Sequence, residues 1–297
     1  EFHERSLDVD LALALTLDVR SALRPDLRLL VMSATIDPEP VAAVLGHGGD
    51  PAAVVAATAP LFPVETRYRP GSAHDRLEDR VTTVVREALR DDTGDVLVFL
   101  PGRGEIRRTR TILDPLEATA VPGGVVELAE LHGSLSPDEQ LHVVRSPEPG
   151  RRRVILSTSL AETSITVPGV RVVVDAGRRR TQRVDPDTGL PALRTGPVSR
   201  AGADQRRGRA GRLGPGVAYR LWSENDDRHR PADETPEMLD GDLTALVLQL
   251  HAWGVDDPGE LGWLDVPPPI AVRSAKKLLT ELGALAPDGR LTALGRA

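Results

Sequence analysis

The chain has 297 residues, is 40% hydrophobic and 3% aromatic, and carries a formal charge of −7 with no cysteine. That length supports more than one hydrophobic core, and the missing thiols exclude disulfides and cysteine metal sites, as fits a reducing cytoplasm. No apolar run approaches the roughly eighteen residues of a membrane span, there is no signal-peptide pattern, and a net negative charge argues against a surface that grips nucleic acid throughout.

Along the chain, near-continuous Val/Leu/Ile runs stand at 28–33, 95–100, 124–131, 152–158 and 170–177. Such runs suit strands buried on both faces of a parallel sheet. Between them, 74–92 repeats Leu77, Val81, Val84, Val85 and Leu89 at helical spacing. Strand–helix alternation predicts right-handed βαβ units and an α/β fold. The segment 180–195 breaks that rhythm with two extended arms around a Pro/Asp/Gly turn, which predicts a hairpin. After about residue 228 the strand signals stop. Thr235 as cap, Pro236 at the first helical position and Glu237 behind it predict one helix over 235–254. The last segment, 271–297, reads as helix, Pro-Asp-Gly turn and short strand, a small winged-helix-like module.

Two stretches carry chemistry. In "DQRRGRAGRLG" (204–214), a helix over 203–212 puts Gln205, Arg209 and Arg212 on one face, at i, i+4 and i+7. Guanidinium forks bind phosphate oxygens and an amide can orient a water, so the row suits a triphosphate. An ordinary solvated helix fits less well, because Gly208 and Gly211 cost roughly 1 kcal/mol each unless something must approach closely. In "VILSTSLAETSITVPGV" (154–170), a buried strand runs into Ser and Thr at its carboxyl end, where α/β sheets place ligands. Each hydroxyl taken singly also suits helix capping. From Arg145 to Arg212 there are fifteen arginines against six acids, a local balance of +9. That is either a positive channel for phosphates or a solvated charged face.

The motifs "EFHERS", "MSAT", "FLPGRGEI", "LHGSLSPDEQ", "STSLAETSITVPGV" and "QRRGRAGR" stand in the order and spacing of DEAH-box helicases, which the chain resembles over essentially its whole length. "EFHERSL" and the region from "LQLHAWGV" to "WLDVPPP" are most similar to the bacterial HrpB branch of these ATP-dependent RNA helicases. The resemblance implies RecA-like P-loop NTPase motor domains, with the back part of the first over 1–68, the whole second over 69–228, and the winged-helix module over 229–297. It implies that Glu1 polarises the attacking water and that His3 links that site to the second motor domain. Ser33, Ala34 and Thr35 would couple hydrolysis to strand movement, Gln205 would sit near the water, and Arg209 and Arg212 would be arginine fingers. Gly133, Ser134, Thr158 and Thr163 would grip the nucleic-acid backbone, with Arg180 and Arg183 on a hairpin beside its path.

The implied cofactors are ATP and Mg²⁺, and the implied partner is a single strand of RNA. A P-loop needs a lysine after a glycine, and neither Lys276 nor Lys277 follows one, so the main ligands of ATP and Mg²⁺ are expected outside this chain. Because it opens on Glu, the chain is expected to be an excerpt, without ATPase on its own. The alternative is a non-catalytic nucleic-acid-binding or adaptor module derived from a helicase.

Overall fold

The computed structural model describes residues 2–34, 37–46, 50–57, 62–72, 74–145, 148–162, 165–184 and 191–296. Its strands are β1 (Val64–Tyr68), β2 (Asp95–Phe99), β3 (Ala120–Val121), β4 (Gly124–Leu131), β5 (Arg151–Ser157), β6 (Val170–Asp175), β7 (Arg178–Val184), β8 (Pro191–Pro197) and β9 (Gly216–Arg220). The helices are α1 (Leu7–Ala22), α2 (Pro38–Leu45), α3 (Leu77–Asp91), α4 (Arg103–Leu113), α5 (Pro137–Val144), α6 (Arg200–Gly208), α7 (Glu224–Arg228), α8 (Glu237–Asp240), α9 (Thr244–Trp253), α10 (Pro269–Glu281) and α11 (Ala293–Arg296). The chain divides into two compact units, one made of Thr58–Thr181 with Arg194–Glu234, the other of Glu1–Ala57, Gln182–Leu193 and Thr235–Ala297.

The first unit is built on a sheet ordered β1-β9-β6-β2-β5-β4-β3, parallel throughout except for the β3–β4 pair. Alternation along its central strand sorts the core. Val96 and Val98 face a cluster with Val81, Val85 and Leu89 of α3, whereas Leu97 and Phe99 face Val143, Ile155 and Ala210 on the other side. The α/β prediction therefore holds, with four of the five apolar runs in this sheet. Three strands escaped the sequence reading: the two-residue β3, and β1 and β9, whose polar residues, Glu65, Thr66 and Arg67 in β1 and Arg220 in β9, dilute the apolar signal.

Arginines from the basic stretch close this unit internally. Arg152, 1% exposed, donates to the carbonyls of Ala88, Leu89, Gly94 and Pro122 and so caps the carboxyl end of α3. Arg153 pairs with buried Asp95 at 2.7 Å and also donates to Val143 O and Arg145 O.

In the second unit, Ser6 caps α1 by accepting from the Val9 amide. Leu11 and Ala14 of that helix then pack with Met238, Leu246, Leu250, Trp263, Val272 and Leu279. Arg5 ties the same elements by pairing with Asp10 at 3.0 Å and Asp265 at 2.7 Å. Three predicted elements differ here. The 28–33 run forms no strand: its recorded backbone bond is from the Phe2 amide to Met32 O, and Leu30 is 82% exposed. An apolar run stays merely extended where no strand lies beside it. The 235–254 helix is two helices, because Gly241 ends α8 and the Asp242 carboxylate accepts from the Thr244 amide and hydroxyl to start α9. After α10, the expected short strand is a single Leu285–Leu291 bridge followed by α11.

The predicted hairpin is present as the β7–β8 pair, and its turn, 185–190, lies outside the described residues. Among the described residues, no helix is long and apolar enough to cross a membrane.

Candidate functional site

The arginine row begins at a well-made helix start. Buried Ser199 accepts from the Gly202 amide, and α6 then runs to Gly208 before tightening into a 3-10 turn over Arg209–Gly211. Tightening preserves the predicted alignment, because side chains three apart eclipse in a 3-10 turn, so Arg212 stays above Arg209. A Cβ at Gly211 would lie 2.6 Å from the Phe62 carbonyl, so the close neighbour is this chain's own backbone.

One arginine of the motif points inward. Arg206 is 1% exposed, donates to Glu162 Oε1 and to Asp175 Oδ1 at 2.8 Å, and lies 5.0 Å from the Phe99 ring centroid. Burial opposes its charge, but the attraction of Asp175 and Glu162 outweighs that cost and raises its pKa above the ordinary arginine value. Arg209, also buried, donates to Ile165 O at 2.7 Å, and exposed Arg212 donates to Thr166 Oγ1. Three arginines spaced by three thus fasten one crossover loop, 158–169, at positions 162, 165 and 166. Gln205 is half-buried on the same helix.

That loop starts at a second cluster. The β4–β5 register sets Leu131 beside Ser157, and Ser157 Oγ and the Thr158 amide both donate to Leu131 O. Thr158 is thereby held next to the turn carrying Gly133 and Ser134, both exposed. A Cβ on Gly133 would meet nothing within 4 Å, so that surface is open. Ser134 Oγ lies 2.9 Å from Nδ1 of buried His132, a neighbour that sequence reasoning passed over. These groups line the carboxyl ends of adjacent parallel strands, the usual ligand position.

The basic stretch proves less available than its count of +9 implied. Arg152, Arg153, Arg206 and Arg209 are buried. Arg179 pairs with Glu234 at 2.7 Å, Arg180 with Glu105 at 3.3 Å, and Arg183 with Asp240 at 2.9 Å. All three acids lie outside the 145–212 window, so counting charge along the chain could not register them.

In the other unit, His3 sits in a 3-10 turn whose Phe2 amide bonds Met32 O, and the Ala34 amide donates to His3 Nδ1 at 3.3 Å. His3 and Ala34 are therefore neighbours, with Ser33 exposed. Glu1, Thr35 and Thr163 lie outside the described residues. Among the described residues no group of three or more His, Asp or Glu converges as a metal site, so no Mg²⁺ ligand is assigned there.

This parallel α/β sheet carries Arg206, Arg209 and Arg212 fastened to a strand-end loop, and residues 79–214 match the family model of the helicase conserved C-terminal domain. Over its whole length the chain is similar to ATP-dependent RNA helicases, HrpB among them. It is 45% identical over 296 residues to the ATP-dependent RNA helicase HrpB of Escherichia coli (strain K12), covering 100% of this chain and 35% of that protein. It is 36% identical to the ATP-dependent RNA helicase HrpA of the same organism, covering 100% of this chain and 23% of the relative. The crystal structure of the E. coli DEAH/RHA helicase HrpB superposes with a TM-score of 0.90 at 44% identity, over 100% of this chain and 36% of that one. The chain thus spans about a third or less of the length of these relatives.

Proposed function

We propose that this chain is part of an ATP-dependent RNA helicase, whose hydrolysis of ATP drives movement along RNA or its remodelling. The observation that carries this is the fastening of the 158–169 loop by Arg206, Arg209 and Arg212. The loop begins at Thr158 and includes Thr163, which with Gly133 and Ser134 grip the backbone of a single strand. The same loop accepts a hydrogen bond from each of the two phosphate-sensing arginines. Bound ATP with Mg²⁺ supplies a phosphoryl group whose charge Arg209 and Arg212 would neutralise, with Gln205 orienting the attacking water. Transfer of either guanidinium from Ile165 O or Thr166 Oγ1 to phosphate releases the loop, which links nucleotide state to strand grip. Glu1 polarises the water, and His3 with Ser33, Ala34 and Thr35 relays the change.

In this reading residues 1–68 are the back of a first RecA-like motor domain and 69–228 the second. Residues 229–297 are a winged-helix-like module, supported by α10, the turn at Gly289 and the Leu285–Leu291 bridge. The setting is cytoplasmic.

The test is RNA-stimulated ATPase of the full-length protein with Arg209→Ala and Arg212→Ala. We expect kcat to fall by about 10³-fold, with a smaller change in RNA affinity, which should no longer depend on bound nucleotide. Normal ATPase with lost RNA affinity would move both arginines to the RNA path. Absence of ATPase in the unaltered full-length protein would favour the non-catalytic adaptor.

A further inference from the structure

We propose that His132 is a positioning residue that switches the Ser134 hydroxyl between two directions, and so sets the strength of the backbone grip by protonation. The proposal rests on Ser134 being a grip residue.

The geometry is a relay within five residues. β4 ends at Leu131, and the turn that follows is closed by the Leu135 amide donating to His132 O at 3.1 Å. His132 is 5% exposed, whereas Ser134 stands at the surface. The imidazole Nδ1 is 2.9 Å from Ser134 Oγ, and its Nε2 is 3.5 Å from Glu130 Oε2. The buried ring is therefore bracketed by a carboxylate and a hydroxyl.

The carboxylate selects the tautomer. With the proton on Nδ1, a bare Nε2 lone pair would face an oxygen that can only accept. The neutral ring therefore carries its proton on Nε2, toward Glu130, and Nδ1 accepts. Ser134 must then donate inward, and it shows outward only lone pairs, which a phosphate oxygen avoids. Protonation of the ring makes Nδ1 a donor. Ser134 now accepts from it and is free to donate its own proton to a phosphate.

The other charges facing the ring are accounted for. Arg110 of α4 lies 3.8 Å from Glu130 Oε1, and Glu139 of α5 interacts with the imidazole electrostatically. Protonation still adds one positive charge there, but that contribution is common to wild type and Ser134→Ala, so the difference between them reports the reoriented hydroxyl.

The test measures oligo-RNA affinity of the full-length protein from pH 8.5 to 5.5 at fixed ionic strength, for wild type, Ser134→Ala and Glu130→Gln. Protonation of His132 is followed independently by hydrogen exchange at its imidazole carbon. A donated bond to phosphate is worth about ten-fold in affinity. We expect Ser134→Ala to match wild type at pH 8.5 and to bind about ten-fold more weakly at pH 5.5. Glu130→Gln should move the His132 exchange midpoint and the affinity step together to lower pH. A constant deficit of Ser134→Ala at every pH would leave Ser134 a grip residue but overturn the switch. Identity of Ser134→Ala and wild type at every pH would overturn the grip assignment and the switch with it. An affinity step that stays put while the His132 midpoint moves would overturn the switch as well.

Discussion

Replacing Arg206 by Met should test whether the helical turn carrying Gln205, Arg209 and Arg212 is anchored from beneath. The guanidinium is 1% exposed, and its partners Glu162 and Asp175 have side chains 11% and 3% exposed. Methionine fills much of the same volume, so cavity formation is a minor cost. The main loss is electrostatic, since two largely buried carboxylates keep their desolvation penalty without a counter-charge. Removing one partner of such a pair costs about 3–5 kcal/mol, a sizeable part of the roughly 5–15 kcal/mol that holds a domain together. Hydrogen exchange of the Val172–Val174 amides in β6 reads this in the unit concerned. A deficit under about 1 kcal/mol would refute the anchoring argument.

Two further outcomes follow from the surface. Gly133→Ala should leave stability within about 0.5 kcal/mol, because its Cβ meets nothing within 4 Å, while weakening oligo-RNA binding if a nucleic-acid backbone passes there; equal affinity by titration would remove Gly133 from the grip. Glu105→Gln should tighten RNA binding and steepen its salt dependence by up to about one unit, because it frees Arg180 from the 3.3 Å pair for a phosphate; an unchanged slope would place Arg180 off the RNA path.

What the sequence disclosed, and what it hid, divides along local and non-local physics. The helix α3 and the buried strands β2, β5 and β6 were legible because side-chain period and continuous β-branched runs are properties of the segment itself. Residues 28–33 carry the same signal and form no strand, because a strand needs a neighbour that composition cannot supply. The break at Gly241–Asp242 was local chemistry overlooked, since Asp242 caps α9 two residues before Thr244. β1 was hidden because it lies at a sheet edge, where Arg67 and Arg69 leave the apolar pattern to pair with Glu65, Asp92 and Glu87. The site divides in the same way. The spacing of Gln205, Arg209 and Arg212 was legible because a helix repeats, whereas the burial of Arg209 against Ile165 O was not. Arg206 follows Gln205 by one residue, which rotates it about 100° toward the sheet, where only the fold could show that Glu162 and Asp175 wait. A motif of eight residues therefore holds two buried arginines, Arg206 and Arg209, beside an exposed one, Arg212, and Arg206 fixes the helix that leads to the other two.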